Sequence, residues 1–118
     1  MPAAFTKVSL SGSANFNLIR VDSASSPGVT IHTAVSGNSV ENQSDEIWLY
    51  ATNTSSGDLT LTIQWAQIPA CLIQTIPTRT GDYLIVPGRP LSNSYLVRAY
   101  AQNASQIFIG GWVNQVRP

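Results

Sequence analysis

Charge is what this sequence has least of. Six Lys and Arg balance six Asp and Glu in 118 residues, a charged fraction of 10% and a formal net charge of zero, where an average soluble domain carries about 25%. No basic run occurs, so the electrostatic attraction on which phosphate-backbone binding rests is missing, and nucleic acid is not an expected partner. A neutral surface also repels its neighbours weakly, which suits a protein that packs against others.

Residues that carry chemistry are equally scarce. The lone Cys71 cannot form an internal disulfide, so the fold does not depend on an oxidising compartment; its flanks, Pro69-Ala70 and Leu72-Ile73, predict a buried thiol. The lone His32 lies in Val29-Thr30-Ile31-His32-Thr33, whose alternation places Val29 and Ile31 inward and Thr30 and His32 outward. No G-x-S-x-G motif accompanies it, and the two residues form no metal-binding spacing. Asp45 and Glu46 are adjacent, so they point to opposite faces of a strand and read as charged gatekeepers at its start rather than as a catalytic pair. No catalytic, metal-binding or cofactor-binding residue is expected, and the protein does not read as an enzyme. An apolar run of signal-peptide length at the start, or of the roughly 18 residues that span a membrane, is also lacking. Synthesis in a cytoplasm and no membrane partner are the corresponding expectations.

What is present is strand pattern in a background of Ser, Thr, Asn and Gln, with no helical period. The clearest stretch runs from Asp45 to Asn53, through Thr54-Ser55-Ser56-Gly57-Asp58, and on from Leu59 to Trp65, and it reads as a β-hairpin. Its first arm is apolar on both faces, with Ile47, Leu49 and Ala51 on one and Trp48 and Tyr50 on the other, which marks a central strand or one whose outer face a partner covers. The second arm turns Leu59, Leu61, Ile63 and Trp65 inward and Thr60, Thr62 and Gln64 outward.

Strands are also predicted over Phe16–Val21, Cys71–Ile76, Tyr83–Val86, Tyr95–Ala101 and Gln106–Val113. Segments 71–76 and 83–86 are positioned to pair as a hairpin, and 95–101 with 106–113 as the last one. Pro87-Gly88-Arg89-Pro90-Leu91, with two prolines that cannot donate to a ladder, reads as a loop over an edge or end of the sheet. Gly110-Gly111 inside the final strand signals a bulge or a close backbone approach, and leaves open which face Trp112 takes. Residues 1–15 form an N-terminal arm with a possible short strand at Thr6–Leu10, and 16–118 a single domain. The fold class is all-β: an antiparallel β-sandwich, jelly-roll-like, with seven to eight strands.

Ser44-Asp45-Glu46-Ile47-Trp48-Leu49-Tyr50-Ala51-Thr52-Asn53 followed by Leu59-Thr60-Leu61-Thr62-Ile63, then Ile85-Val86-Pro87-Gly88-Arg89-Pro90-Leu91, Val97-Arg98-Ala99-Tyr100-Ala101 and Gly111-Trp112-Val113-Asn114, resembles small virion structural proteins of tailed bacteriophages. The resemblance covers most of the chain from Lys7 onward and rests on strand and turn patterns. It implies a role similar to that of capsid cement or decoration proteins, which sit on the outside of the head and bridge major capsid protein subunits, commonly as homotrimers. A tail, baseplate or fibre component is the alternative within that class, and a carbohydrate-binding module the alternative outside it.

Contacts of this kind use apolar patches, inserted loops and strand edges. Pattern alone therefore nominates Trp48, Tyr50, Arg98 and Tyr100 for subunit contacts, and Pro87, Arg89 and Leu91, with Phe5 in the arm, for reaching the capsid. Arg98, between Leu96 and Tyr100 on one strand face, either meets an interface or lies solvated.

Overall fold

Strict alternation along β4 (Ser44–Asn53) fixes the centre of the fold: Asp45, Ile47, Leu49, Ala51 and Asn53 are buried and the residues between them half-buried. The structure is a computed structural model that describes residues 4–37, 40, 43–67, 71–79 and 81–117. Around β4 lie β1 (Ala4–Val8), β2 (Ile19–Arg20), β3 (Val29–Thr33), β5 (Leu59–Ala66), β6 (Cys71–Ile76), β7 (Tyr83–Leu91), β8 (Leu96–Ala101) and β9 (Ile107–Arg117). One sheet has the order β1-β9-β4-β7, with the two-residue β2 also paired to β9, and the other has the order β3-β8-β5-β6. Every pairing is antiparallel. Two sheets in these orders make a jelly-roll sandwich, with β2 as an addition to its eight strands.

The core lies between the sheets. Ile47, Leu49 and Ala51 of β4 and Ile107, Ile109 and Val113 of β9 face Leu61 and Ile63 of β5 and Val97 and Ala99 of β8, all essentially without solvent exposure. At about 25 cal/mol per Å² of apolar surface removed from water, this layer is the main source of stability.

The hairpin expected from residues 45 to 65 does not form. β4 and β5 belong to different sheets, and Thr54–Asp58 is a corner that carries the chain from one to the other. Sheets pack about 10 Å apart, a gap that the five-residue connection spans and that a tight two-residue turn would not. Buried Asn53 clamps the corner: its Nδ2 donates to the carbonyls of Gly57 and Ile76, both at 2.9 Å, and its Oδ1 accepts from the Ser55 amide at 2.9 Å. Asn53→Ala leaves these groups without partners and is expected to cost about 2 kcal/mol, measured as a lowered urea midpoint at unchanged slope.

The same correction applies to β6 with β7 and to β8 with β9, which also lie in opposite sheets. The β8–β9 connection is tied to both: Gln102 donates its amide to the Thr60 carbonyl, and Thr54 donates its own to the Gln106 carbonyl, each at 2.9 Å. Among the described strands, β5 and β6 are the consecutive pair that is hydrogen-bonded.

Pro87–Leu91 is strand rather than loop, because β7 is an edge. An edge strand tolerates proline where the missing N–H faces outward, and two register shifts against β4 absorb the rest. The expected strand at Phe16–Val21 shrinks to Ile19–Arg20, with Ile19 and Val21 buried and Phe16 and Leu18 exposed. In the arm, Ala4–Val8 pairs with Val113–Arg117 of β9. Beside β2, at the other end of β9, the Ser105 hydroxyl donates to Asp22 Oδ1 and, with Arg20, holds that carboxyl below the usual carboxylate range.

Candidate association face

Even-numbered residues of β4 and β9 share the outer face of the first sheet. Their ladder is regular from Ser44↔Val116 to Asn53↔Ile107, so Trp48 lies directly opposite Trp112, and Trp112 keeps the face of Phe108. Trp112 stacks on both Trp48 (centroids 5.9 Å apart, planes at 16°) and Tyr50 (5.6 Å, 28°). Lys7 of β1 places Nζ 5.3 Å from the Trp112 ring centroid. Aromatic cross-strand pairs of this type each contribute about 0.5–1.5 kcal/mol beyond burial.

Three glycines permit close approaches around the stack. A Cβ on Gly88 would stand 2.9 Å from the Trp48 ring, and one on Gly110 would stand 2.6 Å from Leu18, which folds over β9 there. Gly111 approaches the backbone of Trp48 itself, so the Gly-Gly pair marks a close approach without a bulge against β4. Around the stack, Leu18 is 54% exposed, Phe16 51% and Leu84 45%.

Phe16 is held outward by its backbone. Asn15 and Phe16 have φ of 54° and 62°, a left-handed conformation that costs a bulky residue roughly 1 kcal/mol or more. Ser13 Oγ donating to the Asn17 carbonyl at 2.6 Å and the Phe16 amide donating to Ser9 Oγ at 3.2 Å keep it there. Between this loop and the stack lies a cavity of about 450 Å³ lined by Phe16, Leu18, Tyr50, Asp82 and Trp112. The Trp48 Nε1–H is buried without an acceptor.

The nominated residues do not all meet. Trp48 and Tyr50 are on this face, and Pro87, opposite Trp48, adjoins it. Arg98 and Tyr100 lie half-buried on the outer face of the other sheet, beside Gln64 and Thr62, so no single flat surface contains both pairs. Arg89 reaches over Trp65, 5.8 Å from its ring centroid, at the open side of the sandwich, and Trp65 packs against the core from there. Leu91 is 8% exposed and belongs to the core, which removes it from any contact surface. Phe5 pairs through its backbone with Val116, and its side chain lies outside the described residues.

Two polar readings from sequence are corrected. His32 is buried, because a register shift between Thr30 and His32 in β3 breaks the alternation and turns the ring inward. Asp45 is no surface gatekeeper: its Oδ2 lies 2.7 Å from His32 Nε2 and accepts the Val35 amide at 3.1 Å. The Ser11 amide donates to His32 Nδ1 at 3.0 Å, which assigns the proton to Nε2 and makes Nδ1 an acceptor. Both ring nitrogens are thereby engaged, so the pair positions the 9–12 and 33–35 segments and has no free nitrogen for proton transfer. Asp45→Ala is expected to lower stability by about 3 kcal/mol by stranding a buried imidazole N–H and an amide, read in equilibrium urea unfolding. Cys71 is exposed rather than buried, since β6 is an edge.

Among the described residues no group of three His, Cys, Asp or Glu side chains could hold a metal ion, and no helix is long and apolar enough to cross a membrane. Comparison with protein-family models, with curated proteins and with solved structures gave no match. The arrangement defines a jelly-roll domain with an aromatic outer face, on which Trp48, Tyr50 and Trp112 stack beside Lys7.

Proposed function

We propose that this protein is a structural component of a tailed-phage virion, a cement or decoration protein that binds the outside of the head and bridges major capsid protein subunits. The observation that carries the reading is the outer face of the first sheet, where Trp48, Trp112 and Tyr50 stack beside exposed Leu18, Phe16 and Leu84. A contiguous aromatic patch on a nearly uncharged domain suits burial against another protein, because aromatic residues dominate interface energetics and little charge has to be desolvated. The sequence resemblance supplies the partner, and the homotrimer it implies would present three such faces and gain avidity over a single subunit.

The stacking also weighs against a carbohydrate-binding module. A sugar ring needs an open aromatic plane, whereas the planes of this stack engage one another and the face of Trp112 also carries Lys7. Quantitative mass spectrometry of purified virions tests the proposal: a copy number commensurate with the major capsid protein supports it, and one matching tail or baseplate proteins sinks it. Light scattering of the purified protein tests the trimer.

A further inference from the structure

The two sheets leave four edges, and three are protected. β7 carries Pro87, Pro90 and two register shifts against β4. β3 is bulged, and the 11–12 segment covers it: the Gly12 amide donates to the Ile31 carbonyl at 2.9 Å and the Thr33 amide to Ser11 Oγ at 2.6 Å. β1 carries Lys7. These are the devices by which natural proteins keep edges from pairing. β6, Cys71-Leu72-Ile73-Gln74-Thr75-Ile76, has none of them: no proline, no charge and a regular six-pair register against β5.

The direction of its free backbone groups follows from β5. Thr60 faces β8, since its amide donates to Gln102 Oε1 at 3.2 Å and its carbonyl accepts the Gln102 amide at 2.9 Å. Successive residues turn their N–H and C=O to alternate sides, so Leu59, Leu61 and Ile63 face β6 and hold Ile76, Gln74 and Leu72. Cys71, Ile73 and Thr75 consequently direct theirs away from the sheet, where the Thr75 carbonyl accepts only the exposed Gln74 Nε2, at 3.4 Å. No described strand pairs with that side, and Ile73 is 67% exposed.

The geometry points to β6 as an edge that pairs antiparallel with β6 of a second copy of this chain, about a two-fold axis at Ile73. Such pairing must set outward residues opposite outward residues, and this axis does so throughout, with Ile73 opposite Ile73 and Cys71 opposite Thr75. The exposed isoleucine gains an apolar cross-strand partner. No like charges meet, because β6 has no charge and the chain has a net charge of zero. The two four-stranded sheets become one continuous sheet. This pairing is independent of the virion reading and uses a different surface from the aromatic face.

Cysteine cross-linking of the full chain tests it. At a hydrogen-bonded pair on the axis the two Cα atoms lie about 5.5 Å apart, within disulfide range. The double variant Cys71→Ser/Ile73→Cys is expected to form a covalent dimer under mild oxidation at least tenfold faster than Cys71→Ser/Ser56→Cys. Wild-type Cys71 would lie about 14 Å from its counterpart and should stay reduced. Ile73→Lys, at an exposed position that leaves the fold intact, is expected to halve the sedimenting mass. Equal cross-linking rates for the two double variants, rapid cross-linking of wild-type Cys71, or an unchanged mass for Ile73→Lys would each overturn the pairing.

Discussion

Gly111→Ala is expected to leave the chain unable to fold. A Cβ at this position would sit 1.9 Å from the Trp48 carbonyl oxygen, 2.9 Å from its carbon and 3.2 Å from Leu49 Cα, and φ is +149°. All three atoms are backbone of β4, the strand that hydrogen-bonds to both β9 and β7. A flexible side chain could move aside, but here relief requires parting the central ladder that aligns Trp48 with Trp112. The cost is expected to exceed about 4 kcal/mol, a large part of the 5–15 kcal/mol that stabilises a domain of this kind. Circular dichroism should show no cooperative melt. Gly57→Ala is the control: nothing lies within 4 Å of its added Cβ, and its stability should stay within about 0.5 kcal/mol of wild type. A Gly111→Ala protein that melts like wild type contradicts this account of the ladder.

The second large effect is on association. Trp112→Ala removes the ring that both Trp48 and Tyr50 stack on, and anchors of this type at interfaces are worth about 2 kcal/mol or more. Binding to phage heads is expected to weaken by at least about thirtyfold. Because the ring lies on an outer face and is half-buried, the fold should persist with a loss of about 1–2 kcal/mol, visible as a modest drop in melting temperature. Arg98→Ala, on the opposite face, should leave head binding unchanged. The reverse pattern, with Arg98→Ala abolishing binding and Trp112→Ala neutral, would assign the contact to the other sheet.

The strands themselves were legible in the sequence because period-two alternation is a local property. Ile47, Leu49 and Ala51 inside with Trp48 and Tyr50 outside follows directly from it, and so does the all-β class. Connectivity was not legible. Residues 54–58 have the composition of a hairpin turn and also that of a corner, and what decides between them is Asn53, whose side chain joins Ser55 and Gly57 to the carbonyl of Ile76, 23 residues away. Alternation failed where registers shift. One shift in β3 buried His32 against Asp45, and the sequence alone presented these as an exposed ring and a surface carboxylate.

The candidate face was half legible. Trp48 and Tyr50 stood out as apolar residues on the wrong side of a strand, but Trp112 joined them only once the β4–β9 register was known. Gly110-Gly111 was the available signal of close approach. Gly88 and the left-handed Phe16 gave none, because both depend on partners distant in sequence. Arg98 and Tyr100 share the pattern of Trp48 and Tyr50 yet lie on the opposite sheet, a distinction that pattern cannot make.

The central claim is that the aromatic face binds the outside of a phage head, and titrating purified protein onto heads that lack it is the direct measurement. The account predicts saturable co-sedimentation at a fixed ratio to the major capsid protein, lost with Trp112→Ala and retained with Arg98→Ala. Heads that bind no protein at saturating concentration, or that bind Trp112→Ala as well as wild type, would contradict it.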